Sequence, residues 1–113
     1  MSTPVQGGIH YWQHVPANHP VRQKRCRWVV VSRTVFNEHS DHVLACPLTR
    51  YTATPLDIAV RKTPHNSLDD DSAMIVPMIS PILKVELSEA IGRVGTSQMQ
   101  FVLDRLRILV EAT

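Results

Sequence analysis

Two polar residues flank a pair of apolar segments that are predicted to pair as a β-hairpin. Arg27 precedes the run Trp28–Val31, and Thr49 follows the run Val43–Cys46, with the polar stretch Asn37–His42 between the two runs. Apolar, β-branched runs bounded by turn-type residues are typical of antiparallel strands. In such a hairpin the start of the first strand lies beside the end of the second, which brings Arg27 and Thr49 to one end of the sheet. A fixed cation beside a fixed hydroxyl can hold a phosphate.

Length and composition indicate one small globular domain. The chain has 113 residues, of which 43% are apolar, so residues 1–113 are predicted to form a single domain with a loose tail at residues 1–7. The net charge of +2 shows no extended nucleic-acid surface, but five basic residues fall between Arg22 and Arg33. The acidic run Asp69–Asp71 lies elsewhere and reads as a solvated turn.

Features of targeting and redox chemistry point to a cytoplasmic protein. The amino terminus lacks the basic and apolar regions of a signal peptide, and no apolar run is long enough to span a membrane. Cys26 and Cys46 are too few for a disulfide framework and are expected to be reduced, buried thiols. The pair His39 and His42 lacks a third placed ligand, so no metal site is predicted.

The elements that position Arg27 and Thr49 are predicted to be short strands and one helix. Strands are expected at Gly8–His14, Trp28–Arg33, Val43–Leu48, Leu56–Val60, Ser72–Ile79 and Ala90–Val94. Pro77 should mark an edge or a bulge, Ser80–Leu83 a turn and Lys84–Ser88 a helical turn. Apolar residues at helical spacing predict an amphipathic helix over Ser97–Ala112, with a capping box from Ser97 to Gln100. The whole suggests a small, strongly twisted barrel with a C-terminal helix.

Several fragments in a fixed order carry a resemblance to a known family. They are Gly8-Ile9, Arg27-Trp28-Val29-Val30-Val31-Ser32, Phe36-Asn37, Pro47-Leu48-Thr49, Asp71-Ser72, Ile91-Gly92-Arg93 and the closing amphipathic helix. With this order and spacing the chain resembles the MazF/PemK (Kid) toxins of type II toxin–antitoxin systems. The resemblance spans about Gly8 to Leu109 and implies a mainly β fold, an SH3-like (CcdB/PemK/MazF-type) twisted antiparallel barrel that forms a homodimer.

The resemblance also implies an activity and partners. Such a toxin is a metal-independent, sequence-selective endoribonuclease without a cofactor, which cleaves single-stranded RNA (mRNA). The 2′-OH attacks the phosphate, so the products carry a 2′,3′-cyclic phosphate and a 5′-OH. A cognate antitoxin wraps the dimer, blocks the RNA groove and forms a DNA-binding complex with it.

The resemblance and the residue types of this chain together predict roles for part of it. The expected catalytic residues are Arg27, Thr49 and, as general base in the basic first loop, His19; the expected RNA-binding residues are Arg22, Lys24, Arg25, His14 and Trp12. Arginine matches phosphate oxygens, histidine titrates near neutral pH, basic loops follow an RNA backbone and aromatic rings stack on bases. His14 is the second candidate for the base.

The chain departs from the family pattern at three places. Cys26 and Trp28 stand where relatives often have glycine and proline around the arginine. The segment 78–81, Met-Ile-Ser-Pro, replaces a polar Gln-x-Arg/Lys-Thr segment. Ile75 and Pro77 replace an Arg-x-Asp pair that one branch of the family uses. The chemistry therefore depends more heavily on Arg27 and Thr49, and the RNA sequence preference cannot be copied from a relative.

Two alternative functions remain open at this stage. A non-catalytic SH3-like RNA-binding or interaction module is favoured by the missing polar residues at 78–81. A CcdB-like DNA gyrase poison would share the barrel, but such toxins act through a terminal Trp-Gly-Ile, and this chain ends in Val110–Thr113, which has no such motif.

Overall fold

The structure is a computed structural model that describes residues 3–18, 26–49 and 57–111. Within these ranges the elements are β1 (Gly8–Tyr11), β2 (Arg27–Val30), α1 (Thr34–His39), β3 (His42–Thr49), β4 (Ile58–Val60), β5 (Ser72–Met74), β6 (Ser80–Leu83), β7 (Gly92–Arg93) and α2 (Thr96–Val110). Single turns of 3-10 helix follow β5 at Val76–Met78 and follow β6 at Lys84–Glu86. None of the helices described is long and apolar enough to cross a membrane.

Strand β3 is the centre of a curled antiparallel sheet with the order β4-β5-β3-β2-β1-β7. One edge of β3 pairs with β2 through residues 45–47. The opposite edge pairs first with β6 through residues 42–45 and then with β5 through residues 48–49. Because β3 exchanges one partner for another along its length, the sheet curls into a half-barrel. The predicted mainly β, twisted antiparallel architecture is confirmed.

The continuous apolar run of β2 is buried on both faces of the sheet. Val29 contributes to a core that includes Met99 and Val102 of α2. Trp28 and Val30 point to a second core, on the other face. Alternating side chains point to opposite faces of a strand, so a run without polar interruptions fits a strand covered on both sides.

The C-terminal helix is confirmed, although its first turn differs from the prediction. Helix α2 begins at Thr96 with Gly95 as its N-cap, and no side chain caps it. Ser97 therefore lies inside the helix, and the predicted capping box from Ser97 to Gln100 is wrong. The predicted apolar face is confirmed only in its first part, since Met99 and Val102 are buried whereas Val110 is 80% exposed.

The polar stretch between β2 and β3 is partly helical rather than a simple loop. Helix α1 occupies much of it, and the predicted strand Trp28–Arg33 ends at Val30. The stretch is held against the domain by Asn37, whose side chain is completely buried. Its Oδ1 accepts a hydrogen bond from Ser32 Oγ at 2.5 Å, and its Nδ2 donates to the Pro4 carbonyl oxygen at 3.0 Å. These contacts draw the stretch against the amino-terminal segment.

Residues 3–7, predicted to belong to a loose tail, are hydrogen-bonded to the domain. Gln6 Nε2 donates to the Val31 carbonyl oxygen at 2.8 Å, and the Gly7 amide donates to Val30 at 2.7 Å. The segment differs from the predicted loose tail because it donates hydrogen bonds to backbone carbonyl oxygens at and just after the end of β2.

The region after β4 contains one more strand than predicted. The expected strand Ser72–Ile79 ends at Met74, and the 3-10 turn that follows contains Pro77, which can donate no ladder hydrogen bond. Residues 80–83, predicted to be a turn, form β6 instead and pair with β3. The helical turn at 84–86 is confirmed, and the strands at 8–11, 58–60 and 92–93 are shorter than predicted.

Candidate active site

The ends of β2 and β3 meet as the hairpin prediction requires. Trp28 lies opposite Pro47 and Val29 opposite Cys46 in the antiparallel register. The next position therefore sets Arg27 across from Leu48, with Thr49 one residue further along β3. The predicted pairing of β2 with β3, which brings Arg27 and Thr49 to one end of the sheet, is thus confirmed.

The register also defines on which face each side chain begins. Val29 and Cys46 share the core that α2 covers, whereas Ala45 belongs to the opposite core. By strand alternation, Arg27 starts on the face of Val29, and Thr49 starts on the face of Ala45. A phosphate that contacts both groups would therefore span the end of the sheet, where β3 extends beyond β2, rather than lie on one face.

The guanidinium of Arg27 is held by neighbours from two other parts of the chain. Its side chain is 20% exposed, and Nη2 lies 3.3 Å from Oδ2 of Asp69. Its Cζ lies 5.6 Å from the centre of the Tyr11 ring, which is a cation–π distance. Among the described residues, its buried Nε has no hydrogen-bond partner. These contacts restrict the guanidinium of Arg27 at the start of β2.

Asp69 is the residue that sequence reasoning missed. The sequence predicts a solvated turn for the acidic run, and nothing in the local pattern distinguishes Asp69 from its two acidic neighbours. The pairing of Arg27 with Asp69 joins residues 42 positions apart.

Trp12 and His14, two predicted RNA-binding residues, lie near the end of β1. Trp12 is half-buried, its ring centre is 5.1 Å from that of Trp28 at 83°, and its Nε1 donates to Glu86 Oε1 at 2.9 Å. Its ring thus takes part in packing and in a polar contact. His14 is exposed. The RNA-binding roles of both residues stay predictions.

The basic first loop lies outside the described residues. His19, Arg22, Lys24 and Arg25 all belong to the range 19–25. The general base and the basic residues expected to follow the RNA backbone therefore stay predictions from the sequence.

Both cysteines are buried, free thiols. Cys26 directly precedes Arg27, and Cys46 lies in β3. Burial raises the pKa of the Cys26 thiol to about 11, despite a contact with the Leu48 carbonyl and the nearby Arg27 charge. Burial also raises the pKa of Cys46 to about 12. Both thiols are therefore protonated at neutral pH and are poor nucleophiles.

The departing segment at 78–81 is used for packing. Ile79 packs against the core that α2 covers, and Ser80 is buried with its Oγ donating to the Met78 carbonyl oxygen at 3.0 Å. The segment thus contributes apolar packing and strand pairing with β3.

An open cleft of about 720 Å³ lies beside the start of α2. Arg61, His65 and Arg93 give its lining a basic character. Neither Arg27 nor Thr49 lines it. The predicted site therefore lies outside this cleft, at the ends of β2 and β3.

Similarity to known proteins shows the family of this chain. Residues 6–110 match the family model described as the PemK-like, MazF-like toxin of type II toxin–antitoxin systems. The chain belongs to this family. The resemblance found in the sequence is confirmed. No curated protein matches the sequence significantly.

Solved structures show the same fold at low sequence identity. MazF from Deinococcus radiodurans has a TM-score of 0.79 at 16% identity, covering 99% of this chain and 100% of that one. An endoribonuclease in complex with its cognate antitoxin, from a mycobacterial species, has a TM-score of 0.73 at 22% identity, covering 100% and 98%. The Mycobacterium tuberculosis toxin MazF-mt6 has a TM-score of 0.73 at 19% identity, covering 94% and 98%.

Proposed function

We propose that this PemK/MazF-family chain is a metal-independent endoribonuclease that cleaves single-stranded RNA, mRNA included. The observation that carries the proposal is Arg27, a half-buried cation held at the start of β2 beside the end of β3. Support comes from its family and from structural neighbours that are described as endoribonucleases. In this proposal, residues 1–113 form one catalytic domain that acts in the cytoplasm, where mRNA is translated.

The proposed reaction uses the nucleophile that RNA itself carries. The 2′-oxygen gives its proton to a general base and attacks phosphorus, and the bond to the 5′-oxygen breaks as that oxygen takes up a proton from the protonated base or from water, leaving a 2′,3′-cyclic phosphate and a 5′-OH. Arg27 stabilises the negative charge that grows on the phosphate oxygens, a contribution on the order of 100- to 1000-fold in rate. The hydroxyl of Thr49 donates to a phosphate oxygen or orients the 2′-OH. His19, with His14 as second candidate, is proposed as the general base.

The proposal includes the assembly in which the toxin is held. The chain forms a homodimer, and a cognate antitoxin binds it and covers the RNA site. Structural neighbours include MazE–MazF complexes from Deinococcus radiodurans, which supports a partner of this kind. In the proposed complex, the antitoxin contributes DNA binding.

A cleavage assay with end mapping tests the proposal. Purified protein is incubated with a long single-stranded RNA in the presence of EDTA, and the ends of the fragments are identified. We expect discrete cuts with 2′,3′-cyclic phosphate ends, and a loss of about 100- to 1000-fold in rate for Arg27→Ala. Arg33→Ala is the matched control, because Arg33 is an exposed arginine that follows the same strand. Undiminished cutting by both Arg27→Ala and Thr49→Ala would reject the site.

The same assay separates the second candidate function. The apolar packing of segment 78–81 favours a non-catalytic RNA-binding module, since this segment offers no cation for a phosphate. Such a module would bind the RNA in a salt-dependent manner and leave it intact. An RNA that is bound but never cut, in a preparation with a normal unfolding transition, would favour that alternative.

A further inference from the structure

The three aspartates of the acidic run are not equivalent. Asp69 Oδ2 contacts Arg27 Nη2 at 3.3 Å. Asp71 Oδ1 instead accepts a hydrogen bond from the Lys62 amide at 2.7 Å, which closes the loop between β4 and β5. Of these two carboxylates, one therefore stabilises the loop and the other reaches the cation of the proposed site.

The loop that carries Asp69 is anchored from inside the domain. Asn66 is 3% exposed, and its Oδ1 accepts hydrogen bonds from the amides of Thr63 and Leu68 at 3.1 and 3.2 Å. Its Nδ2 donates to the Arg61 carbonyl oxygen at 2.6 Å. Leu68 is itself buried in the core that α2 covers. The residue immediately before Asp69 is thus fixed by both hydrogen bonds and apolar packing.

The contacts around the guanidinium restrict its orientation. Tyr11 lies against it at 5.6 Å, Asp69 holds Nη2, and Nε is buried without a hydrogen-bond partner among the described residues. Arginine has many rotamers, and each contact removes some of them. The buried Nε, the Tyr11 ring and the contact of Nη2 with Asp69 therefore restrict both the position and the plane of the guanidinium.

We propose that Asp69 is a positioning residue for Arg27 in RNA cleavage. The inference rests on the proposed endoribonuclease activity and names a further residue of that same site. Asp69 holds Nη2, so that the guanidinium keeps one orientation towards a phosphodiester at the end of the sheet. The gain lies in orientation, because a misplaced catalytic group slows a reaction even when the substrate still binds.

The exposure of Asp69 separates this role from a structural one. Its side chain is 79% exposed, and exposed ion pairs contribute little to folding. Removal of the carboxylate should therefore leave thermal unfolding unchanged. Removal also deletes a negative charge beside the RNA phosphate, so the KM for RNA should stay the same or fall. A positioning role thus predicts a lower kcat without a higher KM.

The test compares Asp69→Ala with Asp70→Ala, which removes a neighbouring charge of the same run, and with Asp69→Glu. The three variants and the wild-type protein are assayed for kcat and KM on one single-stranded RNA, with thermal unfolding measured in parallel. We expect kcat to fall about 10-fold in Asp69→Ala at unchanged Tm, a moderate loss because Tyr11 still restricts the arginine. Asp70→Ala should keep the wild-type kcat, and Asp69→Glu should recover part of the loss.

Three results would overturn the inference about Asp69. An unchanged or higher kcat in Asp69→Ala would show that the carboxylate merely competes with RNA for Arg27. An equal loss in Asp70→Ala would indicate a general effect of charge, and a loss of kcat that follows a lower Tm would indicate a structural role. A wild-type protein that cuts no RNA would instead reject the proposed function itself, so the two failures are distinguishable.

Discussion

Gly92→Ala should destabilise the domain through one backbone contact. A Cβ at this position would lie 2.7 Å from the carbonyl carbon of Asn66 and 2.8 Å from both its Cα and its carbonyl oxygen. These atoms cannot rotate away as a flexible side chain would. Ordinary contact begins near 3.4 Å, so β7 and the loop must separate by about 0.7 Å, the difference between 3.4 and 2.7 Å.

The cost follows from what holds Asn66 in place. Overpacking a well-filled site costs about 1–3 kcal/mol, and the rigid obstacle argues for the upper part of that range. A shift that breaks one of the three hydrogen bonds of the Asn66 amide adds about 1 kcal/mol. Gly92→Ala should therefore lower the free energy of unfolding by about 2–4 kcal/mol, a large fraction of the roughly 5–15 kcal/mol typical of a domain.

Gly95→Ala is the matched control for this substitution. The same methyl group at Gly95 would meet nothing within 4 Å, and its φ of −66° suits alanine. Because Gly95 is the N-cap of α2, where glycine is preferred to alanine, the change should cost about 0.5–1 kcal/mol, less than Gly92→Ala. Urea unfolding measures both variants, with a fall of the midpoint by about 1–2 M at constant slope expected for Gly92→Ala. Equal midpoints for the two variants would refute the reasoning from the Asn66 contact.

Three other predictions concern buried side chains of the domain. Asn37→Ala should lower the free energy of unfolding by about 2–4 kcal/mol, because a fully buried amide loses its bonds to neighbouring segments; an unchanged thermal midpoint would contradict this. Val102→Ala should cost about 1.5–3 kcal/mol in urea unfolding, whereas the same change at Val110, which is 80% exposed, should cost almost nothing. Burial raises the pKa of Cys26 to about 11 and of Cys46 to about 12, from 9.0, so the thiols' contribution to stability is complete below pH 9 and is lost as pH rises towards 11–12. Unfolding measured from pH 8 to 11 should show a steeper loss in the wild-type protein than in a Cys26→Ala/Cys46→Ala double variant.

The elements with strong periodic patterns could be predicted from the sequence. The apolar run of β2 and the helical spacing of Met99 and Val102 each indicate both an element and its buried face. The pairing of β2 with β3 could be predicted because two apolar runs flank a polar stretch. In these segments local preference and tertiary packing agree, so short-range patterns are sufficient.

Segments whose structure depends on distant partners could not be predicted in the same way. Residues 80–83 contain a proline and look like a turn, yet they form β6 because β3 offers a free edge. Gln6 is ordered through bonds to Val31 and Thr34, which are remote in sequence. The same limit hid Asp69, since its contact with Arg27 depends on how the loop closes around Asn66.

The unusual neighbours of Arg27 are consistent with a site that is held from both faces of the sheet. Cys26 and Trp28, which stand where relatives often have glycine and proline, are buried together in the core opposite the arginine. They fix the backbone of β2 from that face, while Asp69 and Tyr11 restrain the guanidinium on the other. A positioned functional side chain needs both a rigid strand and a supporting contact. Cys26 and Trp28 therefore leave Arg27 anchored at the start of β2, as the proposed role of its guanidinium requires.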